Sequence, residues 1–378
     1  MAGSDFETKI IRVEGRARGS DANALQSALA NCLGALMQAG AAPAFLSAMI
    51  WSGPDPAALH PSRRVVDRIW REIFAGFRPP VQLKYCAGDE VIVEALADVP
   101  LAPASREPVL RGYTLAQLAQ QMSPRGQVPD MGAVFAQWTR EGDAARAAHN
   151  GLDLAYGAHR DECLDLYRPM GVSKPPIWVF LHGGYWQASS KDQHAQFCQG
   201  LVQAGFAVAN VDYPLAPETG LGQIVTHIRK ALHFLVDQAE FLGLDATRLH
   251  VAGHSAGGHL AAYLACDELA PKLASAHVLS GVLDLEPLLH LPMGRILGLK
   301  SLEQARMLSP LFKQPRAGTK IAIALGGAES DEFKRQSQAL CEAWNTEPVL
   351  IIQGENHFSL LEHLKAGALL DQALRLSA

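Results

Sequence analysis

The sequence predicts an α/β protein: a mainly parallel sheet with helices on both faces, preceded by a smaller α+β module. Three observations predict it. Apolar runs such as Ile177 to Leu181, and Ala207 to Val211 with the single exception of Asn210, are continuous rather than alternating, as strands buried on both faces are. Amphipathic helical stretches separate these runs in regular succession. Near residue 100 the chain changes character, and Pro100, Pro103 and Pro108 read as a linker. The expected domains are residues 1–103 and 104–378, in line with the two domains that a length of 378 residues suggests.

In the first module Phe6 to Val13 is strand-like, and Asp21 to Gly40 reads as an Ala/Leu-rich amphipathic helix stopped by glycine. Ala44 to Trp51 is a strand candidate and Pro61 to Gly76 a second helix. Val91 to Ala97 alternates well enough for a closing strand. A polar, mostly helical lead-in follows over residues 113–150, with a turn at Ser123 to Gly126. Strands are then expected at Ile177 to Leu181, Ala207 to Val211, Arg248 to Ala252, His277 to Leu279, Lys320 to Leu325 and Val349 to Gln353. The main helices between and after them are Gln223 to Glu240, Asp331 to Trp344 and Ser359 to Leu376.

Composition excludes several classes. The net charge is -5 and no Lys/Arg run marks a nucleic-acid surface; Arg63, Arg64, Arg68 and Arg71 read as a solvated helix face. No apolar stretch reaches the ~20 residues that span a bilayer, and Met1 to Thr8 is polar and acidic, unlike a secretory leader. Six cysteines lie scattered without C-x-x-C spacing, which points to free thiols in a reducing cytoplasm and away from a zinc site. Neither metal nor cofactor is expected.

The chemistry is concentrated in the second domain. Leu249 to Ala252 is a short apolar strand; Gly253, Ser255 and Gly257 form a G-x-S-x-G turn; and a helix follows from Ala256 to about Asp267. A serine at the apex of such a turn has an exposed hydroxyl with helix N–H groups beside it. His357 lies just after the last strand and before the last helix, where a base that deprotonates Ser255 belongs. Glu329 follows strand Lys320 to Leu325 and is the candidate acid. Asp331 is the alternative, although it sits where a first-turn helix residue would, and Asp284 reads as a cap.

His182-Gly183-Gly184-Tyr185-Trp186 directly follows a strand, and its glycines leave backbone amides open to a developing oxyanion. Gly183, Gly184 and Ala256 are the expected donors, each worth about 3–4 kcal/mol of transition-state stabilisation. Tyr185 and Trp186 are expected to wall the substrate site, His182 to brace the loop, and Asp212 to be structural.

His-Gly-Gly-Tyr-Trp at 182–186, Asp-Tyr-Pro-Leu-Ala-Pro at 212–217, Gly-His-Ser-Ala-Gly-Gly-His-Leu at 253–260 and Asn-His-Phe-Ser at 356–359 together resemble the serine-dependent arylformamidase branch of the α/β-hydrolases. Ser123 to Gly126 and Ala155 to Gly157 fit that branch too. Esterase relatives usually carry a third glycine at the position of Tyr185. The resemblance implies hydrolysis of a small aryl formamide, such as an N-formylkynurenine-like substrate, through an acyl-enzyme. The alternative is a carboxylesterase or amidase acting on another small acyl aromatic.

The first hundred residues resemble the Rid/YjgF imine-deaminase fold in the order and pattern of Asp21 to Gly40, Ala44 to Trp51, Pro61 to Gly76, Arg78 to Pro80 and Val91 to Ala97. Glu94 falls where that family has an acid, but Val81 and Gln82 follow Pro79-Pro80 where its carboxylate-gripping arginine belongs. That resemblance implies an imine-binding module or an assembly scaffold, with a homo-oligomer, a trimer for the typical family member, as the expected partner arrangement.

Overall fold

The computed structural model describes residues 8–18, 22–39, 46–54, 81–85, 90–100, 107–128, 130–149 and 153–377. The helix expected over Pro61 to Gly76, the segment Arg78 to Pro80, Cys86 and the linker's Pro103 lie outside the described residues. The chain forms two compact units, Met1–Gln137 with His290–Met293 and Trp138–Leu289 with Gly294–Ala378.

In the first unit, β1 (Thr8–Arg18), β2 (Leu46–Gly53), β3 (Val81–Tyr85) and β4 (Glu90–Pro100) form one sheet in the order β1-β4-β2-β3. Strand β4 is antiparallel to β1 and β2, while β2 and β3 are parallel. Helix α1 (Ala22–Gln38) buries Leu25, Leu29, Leu33 and Leu36 at helical spacing, and β4 buries Val91, Val93, Ala95 and Ala97 at strand spacing. Gly15 lets β1 and α1 close up, because a Cβ there would lie 2.1 Å from the Ala28 carbonyl oxygen. Strand β3 was not expected. Its sequence Val-Gln-Leu-Lys-Tyr is short and half polar, and pairing with β2 decides its state.

Helix α2 (Leu115–Gln121) starts with a capping box between Thr114 and Gln117. Helix α3 (Met131–Ala148) completes the helical lead-in and carries the chain into the second unit. There β5 (Leu154–Ala155), β6 (Cys163–Tyr167), β7 (Pro176–Leu181), β8 (Ala207–Val211), β9 (Asp245–His254), β10 (Ser275–Leu279), β11 (Lys320–Gly326) and β12 (Leu350–Ile352) build an eight-stranded sheet ordered β12-β11-β10-β9-β7-β8-β6-β5. The six strands from β12 to β8 pair in parallel; β6 and β5 are antiparallel additions at one edge.

Every residue of β7, β8 and β10 is buried, as helix cover on both faces requires. Helix α4 (Leu221–Asp237) contributes a stripe of Leu221, Ile224, Ile228, Leu232 and Leu235. Strand β6 shows no continuous apolar run in the sequence because Asp165 interrupts it. The structure buries that carboxylate and pairs it with Arg146 at 2.7 Å and Lys191 at 3.1 Å. The single helix expected over Ser359 to Leu376 is instead a 3₁₀ turn, a short helix and α7 (Ala368–Ser377), with Gly367 at φ +128° marking the break.

Parallel pairing has one consequence for chemistry. Strands β7, β9, β11 and β12 all deliver their C-terminal ends to the same edge of the sheet. The loops after Leu181, His254, Gly326 and Ile352 therefore meet there, although they are far apart in sequence.

Candidate active site

Ser255 stands between β9 and helix α5 (Ala256–Ala265) with φ 56° and ψ -115°, a backbone conformation that L-residues avoid. Its amide donates to the Leu279 carbonyl at 2.8 Å and its carbonyl accepts from His259 at 3.0 Å, so the strained turn is held from both sides. The flanking glycines are sterically obligatory. A Cβ on Gly253 would lie 2.0 Å from the Gly257 oxygen, and one on Gly257 would lie 2.0 Å from the Leu181 oxygen.

The loop after β7 packs directly on this turn: a Cβ on Gly183 would meet His254 Nδ1 at 3.0 Å and Ser255 Cβ at 3.1 Å. Gly184, Tyr185 and Trp186 all have positive φ, at 112°, 53° and 55°. The carbonyl of Gly183 accepts from His182 Nδ1 at 2.7 Å, and that of Gly184 from Gln187 and Ala188, both at 3.0 Å. With both carbonyls turned back into the loop, the Gly183 and Gly184 amides donate to no acceptor among the described residues. Ala256 adds a third open amide as the first residue of α5.

His182 braces the loop. Its ring stacks on Tyr213 at 4.4 Å, its Nε2 faces Asp212 at 3.4 Å, and its carbonyl accepts from the Tyr213 hydroxyl at 2.8 Å. Trp186 is fully buried, edge-on to His259 at 5.0 Å, while Tyr185 above it is half-buried.

His357 and Glu329 meet in the buried interior of this edge, 2 % and 4 % exposed. Glu329 Oε2 accepts from His357 Nδ1–H at 2.7 Å. Its Oε1 accepts from the Ser280 hydroxyl and from the Gly326 amide at 2.8 Å. Burial pushes the Glu329 carboxyl up, but His357 and these donors outweigh it and hold the group below the usual carboxylate range. With Nδ1 donating to a carboxylate, His357 Nε2 is left as the basic nitrogen.

Asp331 is exposed in the first turn of helix α6 (Asp331–Trp344), whose N-cap is Ser330. Asp284 is buried and paired with Arg335 at 3.0 Å. The structure thus brings Glu329, not Asp331 or Asp284, to the histidine.

Three supports were not read from the sequence. Ser280, with φ 48°, carries a hydroxyl onto the acid. Asn356 fixes the base loop: its Oδ1 accepts from the amides of Phe358 and Ser359, and its own amide donates to Ser359 Oγ. His254 hydrogen-bonds the carbonyl of His357 at 2.7 Å. The Asn-x-x-Ser spacing at 356–359 is the single local signal among them.

The chain is similar to known proteins. The BD-FAE family matches residues 164–281, which run from β6 to just past β10. Kynurenine formamidase of Danio rerio is 32 % identical over 229 residues, covering 56 % of this chain and 76 % of that protein. The chain belongs to the kynurenine formamidase family. The Salmo salar member is 27 % identical over 280 residues, covering 70 % of this chain and 92 % of its own. Among solved structures, a thioesterase candidate from Silicibacter sp. tm1040 superposes with a TM-score of 0.58 at 30 % identity, covering 63 % of this chain and 90 % of that one. The chain is accordingly a hydrolase of the α/β-hydrolase type. Among the described residues no cluster of side chains has the makings of a metal site, and no helix is long and apolar enough to cross a membrane.

Proposed function

We propose that the chain cleaves a small aryl formamide, of the N-formylkynurenine kind, with Ser255 as nucleophile, His357 as base and Glu329 as the orienting acid. The observation that carries this reading is the strained Ser255 turn, set beside open amides at the sheet edge that also carries a histidine whose Nδ1 is bonded to a buried carboxylate.

Ser255 Oγ attacks the formyl carbon while His357 Nε2 takes its proton. The amides of Gly183, Gly184 and Ala256 hold the oxyanion that forms. Collapse breaks the C–N bond, and the aryl amine leaves with the proton returned by His357. Water activated by His357 then adds to the formyl-serine ester, releasing formate and free Ser255. Tyr185 supplies the aromatic wall on the substrate side, and the buried Trp186 supports it from beneath.

The test is a panel of formanilides against p-nitrophenyl esters, run on the wild type and on Ser255→Ala. The reading expects formanilides to have the higher kcat/KM and Ser255→Ala to abolish it. Ester preference, or activity surviving in Ser255→Ala, would contradict it.

For residues 1–103 we propose a Rid/YjgF-like unit that serves as an oligomerisation scaffold. The β-α-β order and mixed sheet of the first unit support it. Light scattering of the full chain should give a multiple of the monomer mass; a monomer at micromolar concentration would remove the scaffold role.

A further inference from the structure

His254 is the residue before the nucleophile, and nothing in the acyl-transfer scheme uses it. It is 2 % exposed and lies against the His357 loop on one side and Gly183 of the oxyanion loop on the other. Its Nε2 lies 2.7 Å from the main-chain carbonyl of His357. A carbonyl can only accept, so Nε2 carries the proton and Nδ1 is bare. Its ring packs 4.7 Å from the His357 ring and 6.4 Å from Phe358. On the other side, Nδ1 lies 3.0 Å from where a Gly183 Cβ would be.

We propose that His254 is a positioning residue for the base: a neutral imidazole wedged between the oxyanion loop and the His357 loop, tying His357's backbone to the strand that carries Ser255. The inference rests on the proposed roles of Ser255 and His357.

Its physical content is a two-point clamp. Glu329 fixes the His357 ring at Nδ1, and His254 fixes the main chain from which that ring springs. Either bond alone leaves a pivot, whereas both together fix where Nε2 points relative to Ser255. Neutrality suits the task, because His357 becomes an imidazolium during turnover and a second cation in ring contact would oppose it. Burial, and then the neighbouring His357 and His194, hold His254 well below the ordinary histidine range. A lysine or arginine could supply the donor only by bringing such a charge.

The experiment compares wild type, His254→Phe, His254→Gln, His254→Asn and Ser255→Ala on one formanilide, with kcat, KM and thermal midpoint for each. His254→Phe keeps the ring and removes the donor. A base displaced by about 1 Å is expected to lower kcat by about 10²-fold, with KM within about twofold. The amide nitrogen of glutamine reaches about as far as histidine Nε2 and that of asparagine does not. His254→Gln should therefore recover at least about tenfold over His254→Phe and His254→Asn.

Wild-type kcat in His254→Phe, or glutamine no better than asparagine, overturns the proposal. Should His254→Phe not fold, the glutamine–asparagine contrast decides alone. Ser255→Ala separates the two levels: if it is inactive while His254→Phe is normal, only the clamp fails. If it stays active, the reading beneath the clamp fails.

Discussion

Glu329→Gln is the most demanding test of the site, because the structure dictates which way the new amide must face. Oε1 of Glu329 takes two donors, the Ser280 hydroxyl and the Gly326 amide at 2.8 Å. In the variant the amide oxygen must stay at that position, since an NH2 group there would oppose the Gly326 N–H. The NH2 is then forced against His357 Nδ1, where the carboxylate now accepts at 2.7 Å. To meet a donor, Nδ1 must lose its proton, and the ring adopts the tautomer protonated at Nε2. That tautomer has no lone pair for the Ser255 hydroxyl.

A wrong tautomer in a Ser-His-acid site lowers kcat by about 10⁴-fold, or about 5 kcal/mol of barrier. The assay is kcat/KM on a formanilide together with the rate at which a fluorophosphonate labels Ser255, since both need the same base. Asp331→Asn, exposed at the start of α6, is the control and should match wild type. Glu329→Gln activity within tenfold of wild type would refute the assignment of the acid.

Three further outcomes are expected. Ser255→Gly should unfold at a higher denaturant concentration than Ser255→Ala by about 1 kcal/mol, because glycine releases the strain of φ 56°, ψ -115° and gives back part of it as unfolded-chain entropy. Lys191→Met should cost about 3 kcal/mol in urea unfolding, since buried Lys191 lies 2.6, 2.9 and 3.1 Å from Asp153, Asp192 and Asp165, and its loss leaves the fully buried Asp165 charge with Arg146 as its one remaining cation among the described residues. Stability should fall as pH drops below about 6.5. Burial holds His250 and His259 down to about 4 and His194 and His277 to about 3, so in that window the unfolded chain binds protons that the folded chain refuses. Urea midpoints at pH 7.5 and pH 5 check the sign; an unchanged or higher midpoint at pH 5 contradicts it.

Much of the second unit was legible because each of its signals is local. Continuous burial wrote β7, and β8 apart from Asn210, into the sequence as apolar runs, and Asp331–Trp344 has the observed bounds because Ser330 caps it and Asn345, in the left-handed region, ends it. The elbow and the Gly-Gly loop were legible for the same reason, since steric demands at Gly253, Gly257 and Gly184 leave one residue type available. Elements whose stability is borrowed were not. Strand β6 exists because Arg146 and Lys191 neutralise Asp165, and β3 because β2 offers it an edge.

Sequence alone determined the residue types, their order along the chain and the strand end that each follows, and from these the reaction class. Which acid meets His357 was settled by tertiary structure. Glu329 and Asp331 are two positions apart, and only the pairing of β11 with β12 and the start of α6 turn one inward and leave the other in water. The same holds for Ser280 and His254, ordinary polar residues in sequence whose partners lie 49 and 103 positions away. Hydrogen bonds of that separation are set by the parallel packing of strands, which no local propensity encodes.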